Sequence, residues 1–225
     1  MAGYNNSDYQ LRAPRKIYLH SKHWLEMESQ SKFDIGLIQV NRPFVFNSRV
    51  GKVGLWAKKW LVTGKDAAYG YGTLTCTAVG WGSLEGKTPS TELRTAQVQA
   101  RHGRFACPCM KKSNERRIIC AGGFSEPGVV CAGDSGGPLI CDGVLAGIAK
   151  AMYSSKCSMV VKHEHCVRSD SVSTWSYVCP ILSYVNAYIP DTPTKPADCK
   201  SPRSLNISIP LLVYVIMVYY RTTYH

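Results

Sequence analysis

The stretch Cys131-Ala132-Gly133-Asp134-Ser135-Gly136-Gly137-Pro138-Leu139-Ile140-Cys141 constrains this chain more than any other. Two glycines follow Ser135 and another precedes Asp134. Residues without a Cβ let the backbone turn sharply and come close to a ligand. A serine hydroxyl on such a turn is presented outward, and nearby backbone N–H groups can converge on a developing oxyanion. Pro138 opens an apolar run, Leu139-Ile140-Cys141, that predicts a strand. The flanking cysteines can tie the turn down once oxidised. An ordinary glycine-rich hairpin is the bland reading of the same residues.

A chain of 225 residues can bury a substantial core as one or two domains. Its 10 cysteines imply either metal ligation or disulfides. No C-x-x-C pair occurs, and Cys107-Pro108-Cys109 is too tight for a zinc knuckle. Disulfides in an oxidising, extracellular compartment are therefore expected. His163 and His165 flank Glu164 without a visible third ligand, so they read as loop residues, and no metal or other cofactor is expected. Lys plus Arg number 27 against 15 Asp plus Glu, a formal charge of +12. The basic residues are scattered, apart from Lys111-Lys112 and Arg116-Arg117, and lack interleaved aromatics. That excludes a nucleic-acid module and leaves a solvated face that steers acidic partners.

Along the chain, the polar Met1-to-Asn6 opening has no apolar signal core. Asn5-Asn6-Ser7 and Asn206-Ile207-Ser208 are glycosylation triplets. Strands are predicted at Lys16–Leu19, Asp34–Val40 and Thr73–Val79, with alternation from Leu93 to Val98. Val53–Trp56 and Trp60–Val62 also read as β. Gly143–Ile148 is a hairpin arm, and Tyr184, Val185, Tyr188 and Ile189 have helical spacing. A proline-rich linker over 190–196 precedes an apolar run from Ile207 to Tyr220. That run is shorter than the roughly 20 residues of a membrane span. Weak membrane association through 207–220 is the expectation for it.

The Gly133-to-Pro138 hexapeptide resembles the nucleophile loop of the chymotrypsin/trypsin family of serine proteases. Three other stretches are similar to that family: Phe33-to-Ile38, with an acid heading an apolar strand; Cys76 to Val79, followed by Gly80-Trp81-Gly82; and Cys120-Ala121-Gly122. The resemblance implies an all-β fold of two antiparallel Greek-key barrels. The first barrel is incomplete, and a short C-terminal helix closes the fold. Domain boundaries follow at 1–68 for the remainder of the first barrel, 69–190 for the second barrel and helix, and 191–225 for the linker and tail. The resemblance further implies Ser135 as nucleophile, Asp34 as the acid of a triad, and Gly133 and Ser135 as the oxyanion hole. Disulfides Cys76–Cys141 and Cys131–Cys157 are implied with them. Cys120 would pair with Cys107 or Cys109. Cys166, Cys179 and Cys199 have no counterpart.

The departures are as informative. A serine hydroxyl is a weak nucleophile until a base takes its proton. The family's base sits in a T-A-A-H-C type segment ahead of the aspartate, and this sequence has none. Only His20 and His23 precede Asp34, in a stretch that resembles an exposed loop. No I-V-G-G type segment is present to supply the ammonium that pairs with the aspartate before the nucleophile, here Asp134. One cause, a missing N-terminal part, accounts for both gaps. Val129 occupies the base of the implied substrate pocket, where it offers no carboxylate to Arg or Lys. Lys150 and Met152 replace small wall residues and would crowd the cleft. Two functions follow: a serine endopeptidase acting on protein or peptide substrates and inactive as written, or a non-catalytic homologue that binds a protein partner.

Overall fold

A computed structural model describes residues 10–20, 34–84, 88–109, 117–123, 129–156 and 169–199. A two-stranded ribbon comes first: β1 (Pro14–Leu19) pairs antiparallel with β2 (Gly36–Val40). A short strand β3 (Gly54–Leu55) follows, then a 3-10 helix at Gly64–Tyr69. The larger sheet contains β4 (Tyr71–Gly80), with the small pair β5 (Ser83–Leu84) and β6 (Thr88–Pro89) beside it. It continues with β7 (Arg94–Gly103), β8 (Ile118–Gly122), β9 (Pro138–Cys141), β10 (Val144–Ser154) and β11 (Ser171–Tyr177). Its order is β11-β8-β7-β4-β9-β10-β3, and β10 also pairs with β11. The sheet thus closes on itself as a six-strand antiparallel barrel, with β3 added at β10. Closure removes the open edges that make sheets prone to association.

Local chemistry sets the hairpins. β4 and β7 pair in unbroken register from Tyr71↔Gly103 to Gly80↔Arg94. β9 and β10 are joined by Asp142 and Gly143, both at positive φ (49° and 74°). A two-residue Asp-Gly turn of this kind matches the right-handed twist of its strands. Lys58 Nζ holds Asp142 Oδ2 at 2.8 Å. Cys76 lies opposite Cys141 in the β4–β9 register, and a disulfide joins them. Cys107 bonds to Cys120, and Cys179 to Cys199. Cys109 and Cys131 are oxidised as well, while Cys157 and Cys166 lie outside the described residues.

Val53–Trp56 and Trp60–Val62, read as β from their aromatic and β-branched content, yield only the two residues of β3. Trp56 and Trp60 are nonetheless buried in the barrel core. The Trp56 indole donates to the Lys58 carbonyl at 2.7 Å, and the Trp60 indole to the Gly72 carbonyl at 2.9 Å. Burying a large ring while pairing its single N–H positions this segment without a ladder. Leu139, Ile119, Leu145 and Trp175 complete the core.

Helix α1 (Leu182–Asn186) follows a short 3-10 turn at Cys179–Ile181. Leu182 and Val185 point into the core. Tyr184 donates its hydroxyl to the Tyr18 carbonyl at 3.0 Å, and the Tyr188 ring lies 4.6 Å from the Tyr18 ring. These contacts fasten the ribbon to the end of the barrel chain.

His102 sits in the aromatic core. Its ring centroid is 4.4 Å from that of Tyr177 and 5.8 Å from that of Trp60. Nδ1 lies 2.8 Å from the Ile118 carbonyl, which fixes the neutral Nδ1–H tautomer as donor. Desolvation lowers its pKa from 6.5 to about 4, against a smaller upward pull from the carbonyl. The unfolded chain protonates this ring near its ordinary value and the folded chain only near 4. The stability due to the neutral ring is therefore complete above about 6.5 and is lost as pH falls toward 4. The loss is on the order of 3 kcal/mol. Urea unfolding at pH 7 and pH 4.5 should show wild type weakening more than His102→Phe. A gap between the two proteins that does not change with pH would contradict this.

Candidate active site

The serine loop is built by backbone bonds. The Asp134 N–H donates to the Cys131 carbonyl (3.1 Å), and Gly137 N–H to the Asp134 carbonyl (2.9 Å). Gly136 N–H donates to the Ala149 carbonyl and Ala149 N–H to the Gly137 carbonyl, both at 2.8 Å. These two bonds fasten the loop onto β10. Ser83 N–H donates to the Ala132 carbonyl at 2.8 Å, which adds a tie to β5. Gly133 and Gly136 take positive φ (96° and 85°), the region open to glycine.

The Asp134 side chain turns inward. Its Oδ1 accepts the Gly82 N–H at 2.8 Å and its Oδ2 the Cys131 N–H at 2.9 Å. A Cβ at either Gly80 or Gly82 would overlap the carboxylate. Gly80-Trp81-Gly82 is therefore a seat shaped for this acid. The sequence offered Asp134 no cation, and the structure gives it two backbone donors instead. Hydrogen bonds to an ionised acceptor are roughly twice as strong as neutral ones.

With the acid drawn inward, Ser135 is left exposed at the tip. Among the described residues, neither its hydroxyl nor the N–H groups of Gly133 and Ser135 bond to a protein acceptor. The loop thus presents a hydroxyl and two amide donors to solvent. That set can attack a carbonyl and hold the resulting oxyanion.

Beside the loop lies a cavity of about 580 Å³, lined by Val79, Val129, Asp134, Pro138, Ala149 and Trp175 among others. Ser173 Oγ accepts both Val129 N–H (2.8 Å) and Val130 N–H (2.9 Å), which fixes this wall. Lys150 and Met152 are not part of that lining. Lys150 directly follows Ala149, whose backbone is bonded to Gly136 and Gly137, so it sits next to the loop. Met152 lies further along β10, opposite Ser173.

The remaining residues of interest are placed as follows. Asp34 is half-buried at the head of β2, and its carbonyl accepts the Ser176 hydroxyl at 3.4 Å. It makes no hydrogen bond to Ser135. His20 was expected in an exposed loop. It is half-buried instead, its ring 4.9 Å from that of Tyr184, and its N–H donates to the Ile35 carbonyl at 3.3 Å. His102 is committed to the core. No imidazole among the described residues bonds to Ser135. His23, His163, His165 and His225 lie outside the described residues. Among the described residues, no group of three or more His, Cys, Asp or Glu could hold a metal ion.

The sequence reading missed Ser173, which has no motif of its own. It also missed the two donors to Asp134, because backbone N–H groups carry no sequence signal. The glycines of Gly80-Trp81-Gly82 were the one available clue.

The trypsin family profile matches residues 2–176. The chain is 32% identical to mast cell protease 8 of Mus musculus over 116 residues, covering 51% of this chain and 43% of that protein. It is 34% identical to cathepsin G of Homo sapiens over 123 residues, 54% of this chain and 45% of that protein. It is 33% identical to kallikrein-2 of Homo sapiens over 143 residues, 60% of this chain and 50% of that protein. The matched stretch spans half or less of each of these relatives.

Replacing Asp134 by Ala strands the Gly82 and Cys131 N–H groups. The expected cost is about 3 kcal/mol, read in thermal unfolding as a fall in Tm on the order of 10 °C. Gly82→Ala should lose a similar amount, because its methyl displaces the carboxylate. An unchanged Tm in both variants would show that the seat contributes nothing to stability.

Proposed function

This chain belongs to the trypsin family of serine proteases, and from that premise we propose that Ser135 is the nucleophile of a serine endopeptidase site for protein or peptide substrates. The observation that carries this reading is the loop itself. An exposed hydroxyl stands beside two N–H donors that have no acceptor among the described residues, on a turn locked from below by Asp134. In the proposed reaction Ser135 Oγ attacks the peptide carbonyl. The oxyanion takes the N–H groups of Gly133 and Ser135. The amine departs with a proton, and water releases the acyl group. The serine proton would pass to a histidine of a full-length form, which Asp34 is proposed to orient and which would hand that proton to the departing amine; the described residues supply no such histidine. Val129 gives the pocket an apolar base, so basic side chains gain nothing there. An oxidising, extracellular setting suits the disulfides.

No imidazole among the described residues reaches Ser135, so this polypeptide is proposed to hydrolyse peptides negligibly. A site that loses a triad member keeps about 10³–10⁴-fold acceleration over water. A second reading, a non-catalytic homologue that binds a protein partner, is favoured by Lys150. There the family carries a small residue, and this position directly follows Ala149, whose backbone is bonded to the loop.

Fluorophosphonate labelling of the recombinant chain, with Ser135→Ala as control, separates the outcomes. Slow or absent labelling is expected. Labelling at enzyme-like speed that is lost in both Ser135→Ala and Asp34→Ala would show that a working base exists and that the chain is an active protease.

A further inference from the structure

Val129, Val130 and Cys131 belong to no strand or helix, yet Val130 and Cys131 are buried. Irregular backbone inside a protein must still place its polar groups. The N–H groups of Val129 and Val130 both donate to Ser173 Oγ, at 2.8 and 2.9 Å. Among the described residues, neither valine has another hydrogen-bond partner. Ser173 is 0% exposed and is held on both edges of its strand, paired with Met152 of β10 and Ala121 of β8. Trp175, two residues on and so on the same face of β11, lines the cavity beside the serine loop. A hydroxyl from a firmly held strand therefore anchors a segment that has no ladder of its own. One residue later that segment meets the acid. Cys131 N–H donates to Asp134 Oδ2 at 2.9 Å, and the Cys131 carbonyl accepts Asp134 N–H at 3.1 Å. Asp134 also holds Gly82 N–H, and Ser135 follows it in the chain. A continuous line of bonds thus runs from β11 to the turn that carries Ser135.

We propose that Ser173 is a positioning residue of the Ser135 site. Its hydroxyl sets where the Val129–Cys131 backbone stands, and through Asp134 it sets the direction of the Gly133 and Ser135 N–H groups. The inference rests on the reading of Ser135 as nucleophile. The chemistry asks for a hydroxyl here. An oxygen with two lone pairs on a short side chain accepts two neighbouring N–H groups at once. Alanine at this position would leave both N–H groups without their acceptor. Donors that face a reacting carbonyl must be placed closely, since an error of about 1 Å costs on the order of 10²-fold in rate. Thr174, the next residue, supplies a contrast. It is as deeply buried, and its hydroxyl donates to the Ala151 carbonyl at 2.7 Å. That bond ties β11 to β10 and belongs to the other face of the strand.

The test is an assigned ¹H–¹⁵N spectrum of the full chain, with amide hydrogen exchange read on the same signals. Ser173→Ala should shift the amides of Gly133, Asp134 and Ser135 as well as those of Val129 and Val130. Exchange at Cys131 and Gly82 should quicken on the order of tenfold. Ser173→Thr keeps the oxygen and should return the Gly133 and Ser135 signals toward their original places. Thr174→Val removes a buried hydroxyl from the same strand and should leave those two signals where they are. In the unsubstituted chain the Val129 and Val130 amides should exchange slowly although they lie in no strand, a reading that holds even if Ser173→Ala does not fold. Fast exchange at both valines overturns the proposal. So do shifts in Ser173→Ala confined to Val129 and Val130, or equal shifts of Gly133 and Ser135 in Thr174→Val. Fluorophosphonate labelling tests the nucleophile and the amide signals test the positioning, so failure of one is told apart from failure of the other.

Discussion

The inward turn of one carboxylate organises the rest of the site. Asp134 bonds to the backbone of Gly82 and of Cys131, so it links the turn after β4 to the turn before β9. These two turns are far apart in sequence and are brought together by the pairing of β4 with β9. An ionised oxygen next to backbone donors is a strong pairing, and it leaves no room for a side chain at Gly80 or Gly82. The exposure of Ser135 follows. If the acid pointed outward, the hydroxyl and its neighbouring amides would lose the rigid base on which they stand.

Rigidity also comes from β10. The loop shares two backbone bonds with Ala149, and β10 is the strand through which the barrel closes against β11. The serine loop is therefore fastened to the barrel wall. Preorganised donors of this kind stabilise an oxyanion without reorganising as charge develops. In the proposed reading such a frame is one half of an acyl-transfer site, and proton transfer is the other. Every imidazole the structure describes is occupied elsewhere: His20 lies against Tyr184, and His102 is sunk beside Tyr177 and Trp60.

Much of the barrel could be read from the sequence because its strands alternate and its turns carry glycine. β4, β7 and β10 fall on stretches whose pattern announced them, and β8 on the Cys120-Ala121-Gly122 stretch that resembles a strand of the family. The Trp56–Trp60 segment did not follow its pattern. Hydrophobic content reports burial, and these indoles are buried in the core with their N–H groups bonded to the Lys58 and Gly72 carbonyls, while only Gly54 and Leu55 join a ladder. The cysteines divide in the same way. Cys107 and Cys109 could not be told apart by spacing, because the choice depends on which thiol faces Cys120 across the fold, and that is Cys107. The partnership of Cys179 with Cys199 was invisible, since nothing local in 190–199 says that the chain doubles back. The turn that carries Ser135 was legible in its glycines. The site was illegible at Ser173 and at the amides that hold Asp134, where position alone confers the role.

The Cys179–Cys199 bond has a mechanical corollary. It fixes the chain at residue 199 beside the Lys58 carbonyl, which lies 3.5 Å from the Cys179 sulfur. Whatever follows departs from a set origin on the barrel. Its radius of action grows by at most about 3.5 Å per residue. Reduction of this bond would release Cys199, while Leu182 and Val185 stay buried and Asn186 still bonds to Thr192.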